Sequence, residues 1–252
     1  MIRDRMVALG SQTAKNGFRN EDDIVNKFNS WSIDNDAQLW LKIMGYKLED
    51  IEYVYATKIK RQKTDVQVQV TVTIKLKSII DAQNIQVKLV SNIRGYNQID
   101  KRWVDSYANL WNMPSTVADI LKRYTGEVPP IIDSPRDNRR TFADEFDETE
   151  ISLLLNFLED NKALIVNDIL KGRGQLAAEW MLVAQKVLKD ARWVLKPINC
   201  VINYYGNGGI HVTNRGSIKI GNITMQRKGG DGGRNTAKML QFKINPAELF
   251  DR

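Results

Sequence analysis

The stretch TDVQVQVTVTIKLKSIIDAQNIQVK, residues 64–88, decides how this chain folds. Val66, Val68, Val70, Val72 and Ile74 alternate with Gln67, Gln69, Thr71 and Thr73, the period-two pattern of a half-buried strand, and Asp65 shares the parity of the polar face. Toward the other end Ile85, Val87 and Leu89 alternate with Gln86 and Lys88, so these two polar groups also project to one side. If the strands are antiparallel, the midpoint between 65 and 88 falls at Leu76/Lys77, just before Ser78 to Asn84, where the apolar alternation breaks down. Folding back there brings Asp65 beside Gln86 and Lys88.

A carboxylate, an amide oxygen and an ammonium converging at a sheet edge suit metal-assisted hydrolysis of a phosphodiester. Asp65 would hold a hard cation such as Mg2+, with Gln86 adding a neutral carbonyl oxygen. Lys88 would orient or help deprotonate the attacking water and offset charge on the phosphate. The spacing alone fits better a two-stranded unit whose Asp, Gln and Lys are merely solvated, because an acid followed at a distance by Gln-x-Lys is a weak pattern.

Thr64-Asp65 followed by Gln86-Val87-Lys88 resembles the variant PD-(D/E)xK core of type II restriction endonucleases in which Gln replaces the second acid. Neighbouring words carry the resemblance further: Ile85 to Asn92, Arg94-Gly95, Asn97 to Lys101, Arg173-Gly174, Ala178-Glu179-Trp180, Gln226 to Asp231 and Leu249-Phe250-Asp251. Together they are similar to the small GCGC-cutting endonucleases of the HinP kind, over nearly the whole chain from Leu9, and more distantly to CCGG-cutting enzymes of the MspI kind. Two departures stand out: Thr64 where near relatives have Ser, and a slightly longer hairpin between Asp65 and Gln86. Neither removes a catalytic group.

The 252 residues, 42% hydrophobic, can bury one substantial core, expected to be a single domain over residues 1–252. The net charge of +7, from 37 basic and 30 acidic residues, suits a polyanionic partner where the excess is concentrated, as the loops suggest. One cysteine, Cys200, excludes an intrachain disulfide framework, and one histidine, His211, leaves too few soft ligands for zinc, so any metal is oxygen-ligated. With no apolar run approaching a membrane span, a cytoplasmic location and no membrane partner are expected.

Outward from the hairpin, Ser11 to Trp31 reads as an exposed approach and an amphipathic helix, capped by Asn20 and carrying Ile24, Val25 and Phe28 as its buried stripe. Glu21 suits the helix dipole; the resemblance instead gives it a metal-proximal role through water. Ala37 to Met44 reads as a second helix ending at Gly45, and Ile51 to Lys58 as a strand. After Lys88, the turn-forming run Ser91 to Gln98 should lie beside the scissile phosphate. Its Tyr96 is either packing or a wedge between base pairs, with Gln98 filling the opened space. Lys101 and Arg102 are expected to open a helix carrying Trp103, Tyr107, Leu110 and Trp111.

Thr125 to Pro135 reads as a rigid loop leading to Arg136, Arg139 and Arg140, either phosphate contacts or a solvated basic turn. Helices are expected from Thr149 and over Leu164 to Leu170, and buried strands over Trp180 to Val187 and Trp193 to Leu195. Ile218 to Arg227 reads as one strand with a bulge at Gly221-Asn222, partnered by the alternating Leu240, Phe242 and Ile244. Between them Gln226, Arg227, Lys228, Asp231, Arg234 and Asn235 lie in a glycine-rich, donor-dense loop, which as a bare motif is a phosphate cradle, a nucleic-acid reader or a hairpin tip; beside a nuclease core it is expected to read bases, guanine through Arg227, Lys228 or Arg234 and cytosine through Asp231 or a main-chain carbonyl.

These readings converge on an α/β fold, a restriction-endonuclease-like central mixed β-sheet flanked by helices. The resemblance implies a Mg2+-dependent type II endonuclease that acts on double-stranded DNA, with a companion DNA methyltransferase protecting the same site. A palindromic target suits a homodimer; a monomer could instead nick one strand, release and return. The rival readings are a structure-specific or repair nuclease and a DNA-binding protein without catalysis.

Overall fold

The computed structural model describes residues 2–60, 66–74, 79–92, 94–132, 136–187, 191–230 and 233–251, with backbone alone for 2–14, 17, 60, 66, 67, 74, 79 and 80. The chain divides into two compact units, one of residues 1–10, 98–170 and 202–244, the other of 11–97, 171–201 and 245–252.

The second of these units is built on a five-stranded sheet ordered β1 (Ile51–Lys60), β2 (Val66–Ile74), β3 (Ile79–Val90), β5 (Trp180–Gln185), β6 (Arg192–Pro197). The β3–β5 pair is parallel and the others antiparallel, so the sheet is mixed. One parity of its residues, Val54 and Ala56, Val68, Val70 and Val72, Ile85 and Val87, Leu182 and Leu195, forms the core with two helices. Helix α1 (Ile2–Asn29) supplies Ile24 and Phe28, and α2 (Asn35–Ile43) supplies Trp40 and Leu41. Phe28 and Trp40 meet at 5.2 Å between ring centres, Trp40 and Trp193 at 5.4 Å. Asp34 caps α2, its Oδ1 accepting from the Ala37 N–H at 2.9 Å.

Asn20 is not a cap. Helix α1 begins at Ile2, and Asn20 is an interior residue 2% exposed, on the stripe it shares with Ile24 and Phe28. The hairpin register also extends further than apolar alternation indicates. Gln67 pairs with Gln86 and Ile74 with Ile79, the register that a midpoint at Leu76/Lys77 implies. The run from Ile79 to Asn84, where alternation fails, is nevertheless strand, because its polar side chains find partners. Tyr46 donates to Asp81, Trp180 Nε1 to Gln83 Oε1 at 2.7 Å, and Asn84 Nδ2 to the Gln175 carbonyl at 2.9 Å.

The other unit holds a second five-stranded sheet, ordered β4 (Asn97–Arg102), β10 (Leu240–Ile244), β9 (Ile223–Arg227), β8 (Ile218–Ile220), β7 (Ile210–Val212), with α3 (Val104–Trp111), α4 (Ser115–Thr125), α5 (Glu148–Asp160), α6 (Lys162–Leu170) and the end of α7 (Ile198–Gly206). Tyr107 stacks on Trp111 at 4.6 Å and both meet Phe242 edge-on, while Trp111 Nε1 donates to Asp168 at 2.9 Å.

Two expectations are corrected here. Lys101 and Arg102 belong to β4, which neighbours β10 in its sheet, and the helix starts only at Val104. Gly221-Asn222 is not a bulge but the turn of a hairpin in which Ile220 pairs with Ile223. Gly221 has φ +56°, and a Cβ there would lie 2.6 Å from the carbonyl oxygens of Tyr205 and Asn207. No helix among the described residues is long and apolar enough to cross a membrane.

Candidate active site

Gln86 and Lys88 lie on the face of β3 opposite Ile85 and Val87, whose side chains pack into the helix-backed core. Strand β5 flanks them, with Met181 opposite Gln86 and Val183 opposite Lys88. Lys88 is half-buried. Gln86 is 5% exposed, and its Oε1 is buried with no hydrogen-bond partner among the described residues. A buried unpartnered amide oxygen costs about 1–3 kcal/mol. It is also a hard, neutral oxygen of the kind a divalent cation such as Mg2+ accepts, so this residue fits such an ion. Asp65, the expected partner ligand, lies outside the described residues. Among the described residues no three His, Cys, Asp or Glu side chains form a metal-holding group.

Among the described residues, helix α1 is tied to this sheet and to the residue after β5 by polar side chains. Asp22 pairs with Lys58 of β1, Asp23 with Lys186 at 2.7 Å just beyond β5, and the Asn29 side chain accepts from Ala56 N at 2.7 Å while donating to Ala56 O at 3.2 Å. Lys186 N in turn donates to Val90 O at the end of β3. Glu21, next to Asp22, is half-buried with its Oε2 inside. Its neighbour Asn20 is buried, and neither polar atom of its side chain has a hydrogen-bond partner among the described residues. The i, i+4, i+8 spacing of Asn20, Ile24 and Phe28 puts an amide on a buried stripe.

Beyond β3 the chain turns at Asn92, whose Oδ1 accepts from Arg94 N at 3.0 Å and whose carbonyl accepts from Gly95 N at 2.9 Å. Asn97 Nδ2 donates to Leu89 O at 2.8 Å and fixes the return. Tyr96 stands on this loop with 49% of its surface exposed.

In the other unit, Gln226 of β9 lies opposite Gln241 of β10, and Gln241 Nε2 donates to Gln98 Oε1 at 2.8 Å. Alternation puts Lys228 and Lys243 on this same face, away from Met225 and Phe242. Burial, and after it the charge of Lys228, push the Lys243 ammonium below its usual range. Gln98, Gln226 and Lys228 are thus brought to one face, whereas Lys101, three residues beyond Gln98 on β4, falls on the other side of its strand. Gln241 and Lys243 were missed, although the apolar alternation of Leu240, Phe242 and Ile244 already placed them on the polar parity.

The loop after β9 closes at a neck where Lys228 N donates to Met239 O at 2.8 Å and Gly229 N to Ala237 O at 2.9 Å. Gly229 and Gly230 have φ +65° and +61°. Arg234 and Asn235 are exposed, Arg234 just before a short 3-10 turn over Asn235–Lys238. Asp231 lies outside the described residues. Arg227 differs from its neighbours: its side chain is 10% exposed and its Nε donates to Ala237 O at 3.1 Å. The arginines of the earlier basic turn are engaged with nearby acids, Arg136 with Asp144 and Glu145, Arg139 with Asp137.

A family model described as R.HinP1I restriction endonuclease matches residues 44–250. No curated protein matches the sequence. Among solved structures, restriction endonuclease MspI in complex with its cognate DNA has a similar fold, with a TM-score of 0.60 and 15% identity over 90% of this chain and 88% of that one. The family match spans both the Gln86–Lys88 strand and the loop after β9, and on it the chain belongs to the R.HinP1I restriction endonuclease family and is a type II site-specific deoxyribonuclease.

Proposed function

We propose that this endonuclease cuts double-stranded DNA at GCGC in a Mg2+-dependent reaction, with both units serving one endonuclease domain. The supporting observation is Gln86, whose buried amide oxygen has no hydrogen-bond partner among the described residues, two positions before a lysine on the same strand face. Asp65 and Gln86 would hold the cation, which supplies charge that polarises the scissile phosphate. Lys88 orients the attacking water or helps deprotonate it, and offsets charge on the phosphate, while Glu21 acts near the metal through water. The water oxygen bonds to phosphorus as one P–O ester bond breaks, the water's proton passes to solvent and the departing sugar oxygen takes a proton from solvent to leave as a hydroxyl.

On the DNA, Tyr96 wedges between base pairs and Gln98 fills the space so opened. The loop from Gln226 to Asn235 reads the major groove. Guanine presents O6 and N7 as acceptors to Lys228 and Arg234, and cytosine presents an N4 donor to Asp231 or to main-chain carbonyls freed by the surrounding glycines. A companion methyltransferase shields the host's own GCGC sites, and two copies pair across the palindrome.

Incubating plasmid DNA with the protein and Mg2+ tests this. Discrete fragments ending within GCGC are expected. A smear would indicate a nuclease with little base preference, and intact plasmid a DNA-binding protein without catalysis.

A further inference from the structure

Arg227, the last residue of β9, shares the parity of Met225 and lies opposite Leu240, both fully buried, while Gln226 and Lys228 take the other face of the sheet. Its guanidinium is therefore directed inward. The Nε is committed to Ala237 O, the carbonyl that also receives Gly229 N, so one acceptor gathers both strands of the loop's neck. Nη1 stands 4.0 Å from Asp137 Oδ2. Asp137 is held in turn by Arg139, through Nε at 2.7 Å and Nη2 at 3.0 Å.

The space around this fork is closed. Gly126, the C-cap of α4, has φ +78°, and a Cβ there would lie 3.3 Å from Arg227 Nη1 and 2.4 Å from Arg139 O. Burial, and after it the charges of Arg139 and Arg140, press the Arg227 guanidinium below its usual range, while Asp137 opposes them. Turning Arg227 out to a base edge would strip Ala237 O of a donor and leave Asp137 with one cation fewer.

We propose that Arg227 is a positioning residue that ties the neck of the 228–236 loop to the Asp137 turn, so that Lys228 and Arg234 are presented to DNA while Arg227 itself reads no base. This role rests on the reading of that loop as the base-contacting element. A guanine reader loses discrimination at one base pair when removed, and a phosphate contact weakens all sequences alike. A brace loses discrimination at every base pair its loop reads.

The test uses the full chain in Ca2+, with competition binding of a GCGC duplex, its single-base-pair variants and an unrelated duplex. Arg227→Met should lower discrimination at each loop-read pair by similar factors, about tenfold over the site, with affinity for the unrelated duplex little changed. Asp137→Asn should give the same pattern more weakly, and the double variant should be no worse than Arg227→Met. Arg227→Lys, which reaches one partner but not both, should restore part of the discrimination at the same thermal midpoint. Loss confined to one guanine, equal weakening of every duplex, or additive losses in the double variant would each overturn the role while leaving the loop as reader. A wild-type chain without preference for GCGC would overturn the loop reading, and this role with it.

Discussion

Gln98 Oε1 accepts a hydrogen bond from Gln241 Nε2 at 2.8 Å, joining β4 to β10 through two side chains. Gln241 is 5% exposed, so the bond is made in a largely dry setting and fixes which way the Gln98 amide points. Gln241→Leu should weaken GCGC binding by about 1 kcal/mol, the net worth of one such bond, and Gln98→Ala combined with it should add little. A double-mutant cycle on duplex affinity measures this; fully additive losses would mean that the two amides act separately.

The active-site assignment separates chemistry from stability. Asp65→Asn and Lys88→Ala should stop cleavage while preserving specific binding in Ca2+. Gln86→Leu should do the same without loss of thermal stability, because a buried amide oxygen without a hydrogen-bond partner among the described residues costs the fold about 1–3 kcal/mol that leucine does not. Gln86→Glu should keep some activity and tighten metal binding. Equal cleavage rates for the Leu and Glu variants would remove Gln86 as a ligand.

Tyr96 is half-exposed on a loop otherwise fixed by Asn92 and Asn97, which suits a side chain presented to a partner. Tyr96→Ala should cost about 1–3 kcal/mol of specific affinity, comparable to lost stacking, and reduce the bend of a fluorescence-labelled duplex. An unchanged bend would assign Tyr96 to packing.

The Arg139 guanidinium holds the Asp137 carboxyl below the usual carboxylate range, with burial opposing. A depressed folded-state value means stability present above the ordinary carboxylate pKa and lost as pH falls through the lower folded value. Thermal midpoints of the wild type should therefore drop more steeply than those of Asp137→Asn on acidification from about pH 5 to about pH 3. Parallel curves would show that the Asp137–Arg139 contact contributes nothing to folding.

Much of this was legible because strand parity is a local property. The alternation of Val66 to Ile74 predicted β2, and the 65/88 midpoint predicted the register realised by Gln67 and Gln86. The first half of β3 was hidden because Asp81, Gln83 and Asn84 are satisfied by Tyr46, Trp180 and Gln175, partners remote in sequence. Helices α4 and α7 went unread, and Arg227 looked like one more donor in a basic loop until its parity with Met225 was followed. Asp65 and Asp231 lie outside the described residues.

The parallel pairing of β3 with β5 sets Ile85 against Trp180, and with it the order in which the enzyme can mature. A nascent chain that already carries Asp65, Gln86 and Lys88 has no neighbour for the far edge of β3 until the β5 segment has been synthesised. Such long-range pairing closes slowly. A half-made chain therefore carries Gln86 and Lys88 on an unfinished sheet, and the far edge of β3 is covered only once residues some ninety positions later have been made.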